Sequence, residues 1–298
     1  MAGLKEIKRR LDSVKNTKKI TYAMKLVAAA KLKKAQESVQ RSRAYSTALQ
    51  NLLLNLSAEI DLSEIKHPLI NSSENKRMQK IGLLVIGGSR GLCGAYNSNI
   101  NRKVENFFQE QKKLNRTITS IVLCKKPAEY YRQSKKQYEA SYENLPEDAT
   151  LWEVEDICKI MEKKIVSAEL DAVYVIYTKF KSAISMNVMV EKILPIESEN
   201  LTSTQPAYSK QSSGVVLFEP SAEEVFSQLI PRIIRSRVRQ ACLDSKASEY
   251  GSRMTAMEAA TKNAGELIHK LQLTYNKIRQ SRITSELLDI LGGAEAIK

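Results

Sequence analysis

From residue 4 to residue 58 the chain contains neither proline nor glycine. With the two strongest helix breakers absent, a run of that length reads as one helix. Apolar residues support this, because Leu4, Ile7, Leu11 and Val14 recur at alternating three- and four-residue steps. Beyond Lys18 the stripe slips to Ile20, Met24 and Val27, then returns through Leu32, Ala35 and Val39 to Leu49, Leu53 and Leu56. A helix of roughly 55 residues would be about 80 Å long at 1.5 Å per residue. A single globular core does not cover such a length, so the pattern predicts a coiled coil.

The far end answers it. Ser221 with Glu224 three residues on forms a capping-box pattern, which marks a helix start. Pro231 is predicted to kink or restart that helix. Phe226, Leu229, Ile233, Leu243, Ala247, Tyr250, Met254, Met257, Thr261, Ala264, Ile268, Leu271, Tyr275 and Ile278 then share one heptad register. A seven-residue repeat implies a left-handed supercoil with a partner helix. The available partner is the chain's own N-terminal helix, running antiparallel, with small residues such as Ala28, Ala35 and Ala264 permitting close approach.

The middle of the chain differs. The segments 81–88, 117–126, 171–180 and 184–193 read as strands, and 97–114, 127–134 and 151–170 as helices. Their alternation implies a small, open, largely parallel α/β sheet. Residues 197–214 are polar and contain Pro, Gly and Ser, as a linker or exposed loop does. The expected organisation is therefore an α/β insert plus a long antiparallel α-helical coiled coil. Residues 1–60 form its N-terminal helix, 75–196 the α/β domain, 197–219 a linker or foot loop, and 220–298 the C-terminal helix.

Charge is unevenly spread along this plan. The 298 residues carry a formal charge of +14, yet residues 1–60 alone hold 13 Lys/Arg against 4 Asp/Glu. An acidic partner is expected there: nucleic acid, a membrane surface or an acidic protein loop. The basic face comprises Lys5, Lys8, Arg9, Arg10, Lys15, Lys18, Lys19, Lys25, Lys31, Lys33 and Lys34, with Tyr22 as its one aromatic residue. Such sparse aromatics argue against base recognition. No apolar run is long enough to cross a bilayer, and the N-terminus lacks a secretory pattern. Cys93, Cys124, Cys158 and Cys242 are widely separated and the only histidines are His67 and His269. That spacing supports no metal site, and reduced, mostly buried thiols are expected.

A strand leading into "GGSRGLCG", residues 87–94, has the position of a phosphate loop. It lacks the terminal Gly-Lys-Ser/Thr that supplies a lysine to the phosphates and a hydroxyl to magnesium, and Gly87, Gly88, Gly91 and Gly94 do not have dinucleotide-fingerprint spacing. The reading is a structural turn, with no bound cofactor and no catalytic residues.

Three blocks together carry a resemblance. "LKEIKRRLDSVKNTKKITYAMKLVAAAKLKKAQ" near the N-terminus, "SRGLCGAYNSNI" in the middle, and residues 247–297 with Ile-Thr-x-Glu at 283–286 resemble the gamma subunit of F-type ATP synthase, the central rotor shaft. The resemblance implies a shaft whose tip lies inside a hexamer of three alpha and three beta subunits, one shaft per hexamer. Its foot would stand on the membrane c ring beside the epsilon subunit. It implies a non-catalytic subunit that transmits torque in proton-coupled ATP synthesis or hydrolysis, without binding nucleic acid or inserting into the bilayer. The implied location is peripheral, on the cytoplasmic face of a bacterial inner membrane, or on the matrix or stromal face in an organelle.

The family's coupling positions fall on Met24, beside a beta loop, and on Arg253, Gln280, Thr284 and Glu286, facing catch loops of alpha and beta. The band of Lys8, Arg9, Lys18, Lys19 and Lys25 would meet an acidic beta loop. Val216, Phe218 and Glu219 fall near the c-ring and epsilon contact. The sequence departs from the family pattern at Tyr22, where a basic residue is common, and at Arg282, which replaces a small one. Arg232, Arg235, Arg237 and Arg239 also make the C-terminal helix unusually basic. The linker at 197–214 has no cysteine, so the plastid form's thiol switch is not expected. Two other readings remain at this point: a basic coiled-coil nucleic-acid-binding protein and a nucleotide-using α/β enzyme.

Overall fold

The computed structural model describes residues 3–57, 69–71, 78–183, 185–197 and 222–296. The chain opens with helix α1 (Leu4–Ser57) and closes with helix α5 (Ala222–Ala296). Between them run β1 (Ile70–Asn71), β2 (Lys80–Ile86), α2 (Tyr96–Lys113), β3 (Thr117–Leu123), α3 (Lys125–Gln133), β4 (Ala140–Tyr142), α4 (Val154–Val166), β5 (Ala172–Phe180), β6 (Met186–Leu194) and β7 (Ile196–Glu197). Two compact units result, Ala30–Ser252 and Met1–Ala29 with Arg253–Lys298.

In the larger unit a five-stranded sheet has the order β4-β3-β2-β5-β6. All neighbours are parallel except β6, which returns antiparallel along β5. The central strand β2 is buried from Ile81 to Ile86, as expected of a parallel strand covered on both faces. Its residues Ile81, Leu83 and Val85 pack with Ile100, Val104 and Phe107 of α2 and Tyr131 of α3. Leu84 and Ile86 alternate to the opposite side and are fully buried as well. The sequence segments read as strands and helices are all present. The short β4 and the two-residue pair β1–β7 are additional.

Helix α5 runs unbroken through Pro231, which neither stops nor restarts it. The proline removes one backbone donor, while its neighbours Ile230, Ile233 and Ile234 are all buried, so packing holds the helix across the gap. The capping residue Ser221 lies outside the described residues. Residues 241–251 are buried on every face of the helix, Asp244, Lys246 and Glu249 included. This part of α5 is a core helix rather than an amphipathic one.

The smaller unit is an antiparallel helix pair. Thr21 meets Thr261 at 2.9 Å, Lys25 meets Glu258 at 2.5 Å, and Lys18 lies against Gly265. Each step up one helix is thus a step down the other. Ile7, Leu11 and Ala28 are buried on one side, Met257 and Ala264 on the other. The expected slip of the seam to Ile20 and Val27 is incorrect, since these residues are 59% and 55% exposed. The seam instead continues through Thr21, Met24 and Ala28. Thr21 is polar and so breaks the apolar pattern, but its hydroxyl donates to the Lys18 carbonyl and accepts from Thr261, which lets it sit between the helices.

Candidate functional site

The glycine-rich turn is occupied by the protein itself. The Gly88 N–H donates to Asn97 Oδ1 at 3.1 Å, and the Gly87 N–H to the Leu123 carbonyl at 3.4 Å. The Gly88 carbonyl accepts from the Lys126 N–H at 3.0 Å. A Cβ on Gly87 would lie 2.3 Å from Pro127 Cγ, so the glycine is there to admit α3. The Tyr96 hydroxyl, which follows the turn, donates to the Ser245 carbonyl at 2.9 Å and fastens α2 to α5. Burial pushes the Tyr96 hydroxyl well up, with the Glu249 charge adding to it. This is a fastening, with the Gly87 and Gly88 amides directed at protein oxygens.

All four cysteines are buried and none forms a disulfide. Burial pushes the Cys124 thiol up to about 11 and the Cys158 thiol up to about 12, which keeps both protonated and unreactive near neutrality.

A second fastening joins α1 to the turn before α4. Lys31 pairs with Glu147, and Lys34 Nζ lies 2.9 Å from Asp148 Oδ2. Asp148 Oδ1 also accepts from the Thr150 N–H at 3.0 Å and its hydroxyl at 2.7 Å. Thr150 first and Lys34 second hold the Asp148 carboxyl at about 2, below its ordinary 3.8. Because the folded value is depressed, its contribution to stability is present above the ordinary value and is lost as pH falls through about 2. NMR titration of the Asp148 carboxyl should therefore show a midpoint near 2. Lys34→Ala should raise it, and Thr150→Val should raise it further. An ordinary midpoint in the unsubstituted chain would refute this fastening.

The shaft-contact residues expected from the resemblance lie on the helix pair of the smaller unit. Lys8, Arg9, Lys18 and Lys19 are exposed on α1. Lys25 is half-buried and paired with Glu258, so part of the basic band is already neutralised within the chain. Met24 is half-buried on the seam, and Arg253 is half-buried on α5. Gln280, Thr284 and Glu286 are exposed. The Thr284 hydroxyl donates to the Gln280 carbonyl at 3.0 Å, and Glu286 accepts from Arg282 at 2.8 Å. Arg282, a departure from the family pattern, thus holds Glu286 along the helix. Val216, Phe218 and Glu219 lie outside the described residues.

Sequence reasoning missed the outer face of α1. Ile20, Tyr22, Leu26 and Val27 are each more than half exposed. Past Ile278, every residue of α5 from 279 to 291 is exposed, with Ile283, Leu287, Leu288, Ile290 and Leu291 among them. Exposed apolar residues gathered in this way are characteristic of interaction surfaces.

A long N-terminal helix and a long C-terminal helix, with a mixed sheet encoded between them in the sequence, are also found in solved structures. The chain is similar to a chain in the central stalk and c ring of the Tetrahymena thermophila mitochondrial ATP synthase, with TM-score 0.58 and 24% identity over 81% of this chain and 99% of that one. It is also similar to a chain in the rotor of the Euglena gracilis mitochondrial ATP synthase, with TM-score 0.61 and 17% identity over 94% and 98%. The ATP synthase family profile matches residues 3–297. The ATP synthase gamma chain of Heliobacterium modesticaldum is 39% identical over 298 residues, covering 100% of both chains. The chain therefore belongs to the ATP synthase gamma-chain family. It is a gamma subunit of an ATP synthase. Among the described residues no helix is long and apolar enough to cross a membrane.

Proposed function

We propose that the chain turns inside a hexamer of three alpha and three beta subunits, one copy per hexamer, and carries torque between that hexamer and a membrane c ring. The single observation that supports this best is the end of α5. Helices in proteins are held mainly by packing of an apolar face, yet the apolar residues Ile283, Leu287, Leu288, Ile290 and Leu291 are exposed. A sleeve of surrounding subunits supplies the burial they lack. Met24, Arg253, Gln280, Thr284 and Glu286 contact alpha and beta in this reading. Lys8, Arg9, Lys18, Lys19 and Lys25 face an acidic beta loop, and Val216, Phe218 and Glu219 meet the c ring and epsilon. The complex sits on the cytoplasmic face of a bacterial inner membrane, or on the matrix or stromal face in an organelle.

An exposed ion pair contributes only about 0–1 kcal/mol. Torque therefore rests on the shape and stiffness of the helix pair, and the basic band guides its turning without locking it. A shaft whose faces differ presents each in turn to three identical catalytic sites and forces them into different conformations.

Reconstitution tests this. Purified chain mixed with matched alpha and beta subunits is expected to give a complex with one copy per hexamer, whose ATPase activity depends on the chain. Met24→Lys places a second ammonium next to Lys25, where it competes for Glu258. The variant should assemble and hydrolyse ATP, while ATP-driven proton pumping in membranes falls to less than about half. A chain that neither assembles nor alters turnover, yet is held by DNA at moderate salt, would overturn the rotor reading in favour of a nucleic-acid surface.

A further inference from the structure

A cleft of about 680 Å³ opens in the larger unit between α1, the start of α4 and α5. Arg41 lines it from α1, and Arg232, Arg235 and Arg239 from one face of α5 at successive three- and four-residue steps. Glu155 is the one acid among its lining residues. Arg239 donates to the Thr150 carbonyl at 3.1 Å. Among the described residues no carboxylate comes within ion-pair distance of any of the four guanidinium groups. Arg235 Nε is buried and makes no hydrogen bond. The acid that acts on Arg235, Glu162 of α4, does so without an ion pair and is itself pushed up by burial.

Four like charges in one cleft repel each other, and a buried N–H without an acceptor carries the cost of its lost hydration. Low-dielectric walls also focus the positive field into the opening. The missing partner is an anion with several acceptor oxygens. Guanidinium groups match phosphate in particular, through paired N–H donors. The volume lies in the range of about 300–1,000 Å³ that holds small ligands.

We propose that this cleft binds a phosphate-bearing small anion, inorganic pyrophosphate or the phosphate tail of a nucleotide, at a place separate from the glycine turn. The proposal stands apart from the rotor function and does not depend on it. Tyr45, exposed at the rim, offers a ring for a base to stack on.

The test is calorimetry on the full chain at constant ionic strength, titrating inorganic pyrophosphate and, separately, ATP without magnesium. One saturable site per chain is expected, weakened about tenfold or more by Arg235→Gln, the loss of one charge-assisted contact. Arg41 is exposed, so Arg41→Gln keeps the fold and should weaken binding in the same direction even if the Arg235 variant does not fold. Lys112→Gln, exposed on α2 and outside the cleft, should leave affinity unchanged. Equal affinity for the two probes supports recognition of the phosphates alone, and tighter ATP binding supports a base on Tyr45. Unsaturable binding, or an equal loss in Lys112→Gln, would mean diffuse charge and overturn the site. So would retention only by anionic lipid vesicles or by polyglutamate.

Discussion

A chain carrying Lys246→Met is expected to lose about 3–5 kcal/mol of folding stability, the range for removing one partner of a buried ion pair. Lys246 Nζ lies 2.9 Å from Glu249 Oε2, and the two side chains are only 7% and 2% exposed. The ammonium also stands 5.1 Å from the centre of the Tyr250 ring, a cation–π contact that the methionine cannot make. Without it the Glu249 carboxylate remains in the core beside Tyr96, whose hydroxyl already feels its charge. Removing both charges is far less damaging than removing one. Adding Glu249→Gln to Lys246→Met should therefore restore much of the loss. Urea unfolding followed by circular dichroism measures this. A loss below about 1 kcal/mol for the single variant would place the pair in water rather than in the core.

Gly87→Val is the second large effect, expected at about 2–3 kcal/mol, the upper part of the range for overpacking a core. The clash is with a ring: a Cβ at Gly87 would approach Pro127 Cγ to 2.3 Å and Cδ to 2.9 Å. Proline cannot rotate aside, so α3 must move off the end of β2. Gly251 provides the contrast. Its added Cβ would meet the flexible Met186 Cε at 2.6 Å, and methionine yields readily. Gly251→Ala is therefore expected to cost less than about 1 kcal/mol. Thermal melts of Gly87→Ala and Gly251→Ala compare them at equal volume change, and equal losses would refute the rigid-ring account. Pro127→Ala in the Gly87→Ala background should recover stability if the ring is the obstacle.

The motifs in the sequence pointed to the family, while the placing of individual site residues varied in legibility. Lys8, Arg9, Lys18 and Lys19 are exposed, as any charged run on a solvated helix would be. Lys25 has the same composition signal but is partly occupied by Glu258, more than two hundred residues away. The outer apolar face at Ile20 and Val27 was misread as seam because Thr21, the residue at the true seam position, is polar. Only the opposing Thr261 shows that the hydroxyl has a partner. The arginines of α5 were visible as an oddity of composition. Their convergence with Arg41 on one cleft was not, since that depends on where α1 passes α5.

The sequence by itself determined the two long helices and four of the five strands of the central sheet. These follow from local rules: breaker-free runs and periodicity of three to four or of two. The tertiary structure decided which faces of the helices are buried, and why the glycine turn is closed by Asn97 and Pro127. It also decided that α5 carries Asp244, Lys246 and Glu249 through a core. Burial and hydrogen-bond satisfaction are properties of neighbours distant in the chain. A polar residue such as Thr21 or Lys246 therefore reads as surface until the group that accommodates it, Thr261 or Glu249, is brought into place.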